Sequence, residues 1–403
     1  MPFRDSWLHV GTVLVLVGFG ASQPLIAGVG FVLILMGAVG QYWSKHLFDR
    51  VTFTHTPSQR RAFIDEPIGL DLEISNQKIL PLPWYEWHLA LAEEWSVEGE
   101  KLAEASAPGT NYLVRRGALG WYQKNAWQVT LKVPVRGYHQ IGPAHVRSAD
   151  LLGMFPRRRD FDAPAHVTVF PRVFTMEDLG FPADRPFGEQ KGRNRIYEDP
   201  LRVAGIREYL PGDPLKRIDW KATARSGELQ ARVYESSATQ QLYLMVNIDT
   251  LEHAWEGYLK DDLERTISTA ASVAVWGAGA RFAVGLLANG SFPAADRPIR
   301  IAPSRSPSQL THLLEALAVI QPLTLGDLSH AIQRESGRMP LGSTIVVIAS
   351  LIPDGLAAAI LRLADEGHRV FVIATSDRVD AALVPGIPVQ SVGQAFSRLG
   401  VTL

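Results

Sequence analysis

Apolar residues recur along this chain in three rhythms, and each rhythm predicts a different kind of element. The first is continuous. Trp7 to Trp43 contains no Lys, Arg, Asp or Glu, and the turn Ser22-Gln23-Pro24 splits it into two apolar runs of about 16 and 19 residues. The second run matches the ~20 residues that cross hydrocarbon, and the first is somewhat short. The pattern predicts two helices, about 7–21 and 25–43, forming a transmembrane hairpin over residues 1–45. Trp7, Tyr42 and Trp43 stand at the outer ends, where aromatic belts sit. A secretory signal would show one apolar run and a small-residue cleavage site; two runs joined by a polar turn fit a hairpin better. The alternative is a buried helical hairpin in a soluble core.

The second rhythm has period two and runs from Val51 to about Arg172. Ile68, Leu70, Leu72 and Ile74 alternate with polar residues, as do Trp127, Val129, Leu131 and Val133. Gly and Pro punctuate these runs, so residues 46–175 are expected to form an antiparallel β-sandwich-like domain.

The third rhythm begins after Gln240. "LYLMVNID" is a strand covered on both faces. Leu263, Ile267, Ala270, Ala274 and Ala278 follow as one helical stripe. "RFAVGLL", a helix with Ser306 as N-cap and Pro307 at its first position, "STIVVIAS", "PDGLAAAILRLADEGH" and "RVFVIAT" continue the alternation. Residues 237–403 therefore predict a doubly wound, mostly parallel α/β sheet. Residues 176–236 are left as a linker and a charged segment. Within it, Arg185, Lys191, Arg193 and Arg195 form either a solvated run or a surface for phosphate or an acidic partner.

The whole chain has 403 residues, a hydrophobic content of 46% and a net charge of −1, which suits two or three globular domains and argues against a general nucleic-acid binder. It has no cysteine, which removes disulfides, Cys-ligated zinc and thiol chemistry. Arg4, Lys45 and Arg50 flank the apolar hairpin from outside. The positive-inside tendency then puts the remaining chain in the cytoplasm, as a multi-pass protein of the inner membrane.

In such α/β sheets ligands gather at the carboxyl ends of the strands. Asp249 stands there, followed by Thr250, Leu251, Glu252 and His253. An Asp-x-Ser-x-Ser loop at this place holds a hard cation such as Mg²⁺ through oxygen ligands. Here Leu251 and His253 occupy the serine positions, so Asp249, Thr250 and Glu252 make at best a degenerate metal site. The alternative is a plain loop. No Gly-rich phosphate loop, His-Glu-x-x-His pair or Gly-x-Ser-x-Gly elbow occurs, and no catalytic residue can be named.

The densest concentration of charge, Gly and Pro is "REYLPGDPLKRIDWKATARSGELQARVYE", Arg207 to Glu235. Pro211-Gly212-Asp213 reads as a turn, with Asp213 capping a helix through "LKRIDWKATAR" that stops at Gly227. In that helix Arg217, Lys221 and Arg225 share a face, with Lys216 and Trp220 in the next row. Glu208, Asp213, Asp219 and Glu235 are available to pair with the cations. "LQARVYE" reads as a strand entering the sheet. The segment is either an ion-paired structural connector or a binding surface.

This stretch closely resembles the signature of the bacterial "domain of unknown function 58" membrane proteins, at Arg207, Tyr209, Pro211, Gly212, Asp213, Arg217, Ile218, Trp220, Ala224 and Arg225. "RGYHQIGP", "DLLGMF" and "VFPRV" extend the resemblance over most of the chain. It implies a membrane-anchored accessory protein with a von Willebrand factor A-like carboxyl-terminal domain. It also implies an association with MoxR-type AAA ATPases and transglutaminase-like membrane proteins, with no established enzymatic activity. The expected function is thus a non-enzymatic interaction protein with the lipid bilayer and a MoxR-type AAA ATPase as partners, and with no cofactor. The competing expectation is a metal-dependent hydrolase using Asp249 and Glu252, with Mg²⁺ as its cofactor.

Overall fold

The computed structural model describes residues 6–105, 107–182, 186–187, 198–210, 213–236, 241–292, 297–324 and 326–399. Arg4, the basic run at 185–195, Pro211, Gly212 and the side chain of Glu235 lie outside the described residues. The chain divides into two compact units, residues 1–170 and 171–403.

The first unit begins with helices α1 (Ser6–Gly20) and α2 (Pro24–Lys45). The two pack through glycines. A Cβ at Gly30 would stand 2.6 Å from the Val15 nitrogen, and one at Gly18 would stand 2.3 Å from the Ala27 nitrogen. Apolar side chains nevertheless face outward around both helices, including Leu16, Phe19, Leu25 and Phe31. Among the described residues, α2 is long and apolar enough to cross a membrane, and α1 falls short of that length. At 1.5 Å per residue, the 22 residues of α2 span about 33 Å.

Twelve strands follow, β1 (Val51–Pro57), β2 (Arg61–Phe63), β3 (Ile68–Asn76), β4 (Leu82–Ala92), β5 (Ser96–Val97), β6 (Ala103–Glu104), β7 (Thr110–Leu119), β8 (Lys124–Lys132), β9 (Gly137–Ile141), β10 (Ala144–Ser148), β11 (Arg157–Phe161) and β12 (Ala165–Phe170). They form sheets in the orders β1-β3-β8-β5, β11-β10-β4-β7-β6 and β2-β12-β9. The pairings are antiparallel except β2 with β12. The alternation has the consequence expected of it: Ile68, Leu70, Leu72 and Ile74 are all buried, and their polar neighbours are not. These rows meet Trp87, Leu89, Leu113 and Val146 of the second sheet in one core. At its centre the Trp87 ring lies 5.4 Å from Phe53 and 5.8 Å from Trp127.

The second unit contains β13 (Glu198–Glu208), α3 (Trp220–Ser226) and β14 (Gln230–Ser236), then an α/β region. That region comprises β15 (Gln241–Asn247), α4 (Lys260–Gly279), β16 (Ala283–Ala288), β17 (Gly290–Ser291), β18 (Ile299–Ser304), α5 (Gln309–Val319), β19 (Gln321–Thr324), α6 (Leu328–Ser336), β20 (Thr344–Ala349), α7 (Asp354–Asp365), β21 (Arg369–Ala374), β22 (Val389–Ser391) and α8 (Gly393–Leu399). Its main sheet has the order β18-β16-β15-β20-β21-β22, parallel throughout except for the edge strand β18. The fully apolar strands are the central ones: β15, β16 and β20 are buried along almost their whole length.

Two expectations fail locally. The Ser306 position does not cap α5. A tight turn brings the Gln309 N–H to the Ser306 carbonyl at 2.9 Å, and the helix starts at Gln309 with Ser308 before it. The strand at "LQARVYE" does not enter the sheet either. As β14 it pairs antiparallel with β13 in a separate two-stranded hairpin.

Candidate functional site

The charged segment is the loop of the β13–β14 hairpin, closed where Glu208 faces Gln230 and Arg207 faces Ala231. Asp213 organises the outgoing side. Its carboxylate accepts from the Leu210 N–H at 3.0 Å and from the Arg207 guanidinium at 2.8 Å, while its own carbonyl accepts the Tyr209 hydroxyl at 3.0 Å. The Arg207 hydrogen bond, then the Leu210 amide, hold the Asp213 carboxyl below its ordinary range. A single 3₁₀ turn, Leu215–Arg217, follows.

Asp219 organises the return side. It caps α3 by accepting from the Lys221 and Ala222 amides, both at 3.0 Å, and pairs with Arg232 at 2.9 Å. The Ala222 amide, then Arg232, depress its pKa. Gly227 ends the helix at φ 77°, the left-handed conformation that favours glycine. The Thr223 hydroxyl then accepts the Gln230 amide at 3.0 Å and ties the helix to β14.

The cap thus falls on Asp219, not Asp213, and the reason is Ile218. This buried residue is extended and bridges to Ala231, which divides the expected single helix in two. Only Lys221 and Arg225 therefore share a helical face, and Arg217 falls outside it. Arg217 sits in the 3₁₀ turn, where its charge adds to the depression of Asp213, and Arg225 is exposed in the last turn of α3. Trp220 is 68% exposed. Ile206, Leu210, Leu215 and Leu229 are exposed alongside it on the same hairpin and loop.

The second location is the carboxyl end of β15. Asp249 is brought together there with Asn247, Asn289 and Ser350, which lie far apart in the chain. Asn289 Nδ2 donates to Asp249 Oδ2 at 2.7 Å and to Asn247 Oδ1 at 2.9 Å, while its Oδ1 accepts the Ile248 amide at 2.9 Å. Ser350 donates to the Asp249 carbonyl at 3.1 Å. Burial pushes the Asp249 carboxyl up, against opposing hydrogen bonds from Asn289 and Thr324. Asn289 went unnoticed in the sequence, although an amide closing the apolar run "AVGLLAN" is a visible signal.

Thr250 and Glu252 stand in different surroundings from Asp249. The Thr250 hydroxyl is buried and accepts the Leu259 amide at 2.8 Å. Glu252 is exposed, as is His253, whose ring stacks on Trp255 with centroids 4.1 Å apart. The Asn289 N–H engages one of the two Asp249 carboxylate oxygens. Among the described residues, no group of three or more His, Asp or Glu side chains comes together that could hold a metal ion.

Residues 205–392 match the family described as "Protein of unknown function DUF58". The matched stretch holds both the hairpin loop and the Asp249 strand end. The Uncharacterized protein YeaD of Bacillus subtilis (strain 168) is 27% identical over 262 residues, 62% of this chain. The chain covers 59% of that relative's length. Among solved structures, the CARDB domain of the PF1109 protein from Pyrococcus furiosus matches 30% of this chain and 91% of its own, at 10% identity and a TM-score of 0.20. A cohesin module from Clostridium perfringens matches 30% of this chain and 97% of its own, at 14% identity and a TM-score of 0.22. Likenesses at these TM-scores carry no argument.

Proposed function

We propose that this chain is a membrane-anchored, non-enzymatic interaction protein of the DUF58 type, and that it docks a protein partner through the β13–β14 hairpin loop. The observation that carries this reading is Trp220. It is 68% exposed on a loop whose carboxylates Asp213 and Asp219 are already engaged with Arg207 and Arg232. A loop held by its own ion pairs needs no outward-facing tryptophan for its fold, whereas exposed aromatic anchors are what protein interfaces use. Leu210 and Leu215, 58% and 73% exposed, lie on the same loop.

The resemblance of the signature supplies the rest of the reading. The partner is a MoxR-type AAA ATPase, the α/β region is von Willebrand factor A-like, and α1 and α2 form a two-pass anchor with both soluble regions in the cytoplasm. The apolar length of α2 supports the anchor. Metal-dependent hydrolysis at Asp249 and Glu252 has less support: Asn289 engages one Asp249 oxygen, and Glu252 is exposed.

The test is capture of a purified MoxR-type ATPase by the detergent-solubilised full chain. Trp220→Ala is expected to reduce capture at least tenfold, with thermal stability within a degree or two of wild type. Equal capture by Trp220→Ala and wild type would refute the docking surface. Loss of fold in the variant would instead assign the tryptophan a structural role.

A further inference from the structure

The loop between β10 and β11, with β11 itself, lies along the last turns of α2. The contacts follow the helix in order. A Cβ at Gly40 would stand 2.9 Å from the Phe155 ring and 3.3 Å from an Asp150 carboxylate oxygen, so the loop rests directly on this turn. Four residues later, the Ser44 hydroxyl accepts from Arg157 Nε at 3.1 Å. Beyond the helix end, the Phe48 carbonyl accepts from Arg159. At 1.5 Å per residue, the Gly40 and Ser44 contacts are about 6 Å apart along the axis.

The loop tip is apolar and preformed. Buried Asp150 accepts the Phe155 amide at 2.6 Å and the Leu152 amide at 3.2 Å, which turns Leu151 and Leu152 outward, 68% and 54% exposed. Tyr42 is exposed on the neighbouring turn, and Lys45 closes the helix. The loop carrying Leu151 and Leu152 thus rests on α2 at Gly40, exposed Tyr42 follows, and Lys45, Arg157 and Arg159 stand around the helix end. That order matches a bilayer passing from acyl chains through the interface to the headgroup phosphates.

We propose that this region is a second membrane contact: Leu151 and Leu152 insert at the boundary between acyl chains and headgroups, while Lys45, Arg157 and Arg159 hold anionic phospholipid headgroups. The inference rests on the reading that α2 crosses the bilayer. If α2 leaves the hydrocarbon near Lys45, a loop seated on Gly40 cannot avoid the interface. Guanidinium groups bind phosphate through paired N–H donors, so Arg157 and Arg159 suit this layer better than any uncharged donor.

The chain has no cysteine, so Leu152→Cys creates a unique labelling position. Full-length protein carrying an environment-sensitive fluorophore there is reconstituted into phosphatidylcholine vesicles, with and without phosphatidylglycerol. Vesicle flotation is checked first, and quenching by lipids brominated near the carbonyl end of the acyl chains is then read. The label at Leu152→Cys should be quenched strongly. One at Lys101→Cys, past the opposite end of β4, should not. Quenching should increase with phosphatidylglycerol, and the Arg157→Gln/Arg159→Gln double variant should lose that increase, each arginine being worth roughly fivefold in anionic-lipid association. Vesicle-bound protein whose Leu152 label is unquenched would overturn the inference alone. A label that reports a dry environment yet escapes the lipid quencher would do the same, because protein then covers the loop. Failure to float would overturn the membrane reading, and this inference with it.

Discussion

Replacing Asn289 with alanine should loosen the whole carboxyl end of β15. Asn289, Asn247 and Ile248 are buried, and the Asn289 amide makes three hydrogen bonds among them and Asp249. Truncation orphans the Ile248 amide and takes one of two side-chain hydrogen-bond partners, Asn289 and Thr324, from the partly buried Asp249 carboxylate. Asn247 Oδ1 keeps a long bond from the Asp249 amide at 3.4 Å. The orphaned Ile248 amide alone costs about 1–3 kcal/mol, and the weakened Asp249 carboxylate adds to that. Against a total stability of about 5–15 kcal/mol, that is enough to unfold the segment locally. The Asp249 carboxyl, already pushed up by burial, should rise further once the Asn289 bond, the larger of the two that oppose the rise, is gone. Hydrogen-exchange mass spectrometry of the peptide covering residues 241–249 in the full chain measures the loss directly. Asn289→Asp separates the parts: it keeps an acceptor for Ile248 but sets two carboxylates together, so it should be damaging at neutral pH and partly recover in acid. A cost below about 1 kcal/mol for Asn289→Ala, or no recovery of Asn289→Asp in acid, would refute the reasoning.

Acid should weaken the first unit well before its carboxylates titrate. Burial lowers the pKa of His55 and His139 and brings His145 down to about 4, so between about 4 and 6.5 the unfolded chain binds more protons than the folded one. Stability therefore falls as pH falls through that window. Exchange protection of β10 measured from pH 7 to 4.5 should decline, and His145→Gln should flatten part of the decline; a flat wild-type profile would contradict the prediction. Gly30→Val should part α1 from α2, because its Cβ would stand 2.6 Å from one backbone atom and 2.7 Å from another. A normal carbon contact needs about 3.5–4 Å, so spin labels at Leu16 and Val29 should separate by about 1 Å or more; an unchanged distance would show that the glycine contact is not close.

Much of the architecture was legible because periodicity alone determines which side of an element is apolar. Alternation at Ile68, Leu70, Leu72 and Ile74 can bury one face only as a strand, and the unbroken run "LYLMVN" suits a strand covered on both faces. The apolar stretch before Lys45 likewise set the length of α2. What periodicity cannot express is a single residue whose partner is distant in the chain. Ile218 sits within a sequence of good helical spacing, yet bridging to Ala231 breaks that helix and moves the cap from Asp213 to Asp219. Nor does local spacing state that Trp220 of α3 faces solvent. At Asp249 the loop Thr250–His253 holds the local clues, but the group that determines the carboxylate's chemistry, Asn289, arrives from the end of the adjacent parallel strand. The tertiary structure decided these points because strand pairing and burial act between residues that local spacing cannot connect.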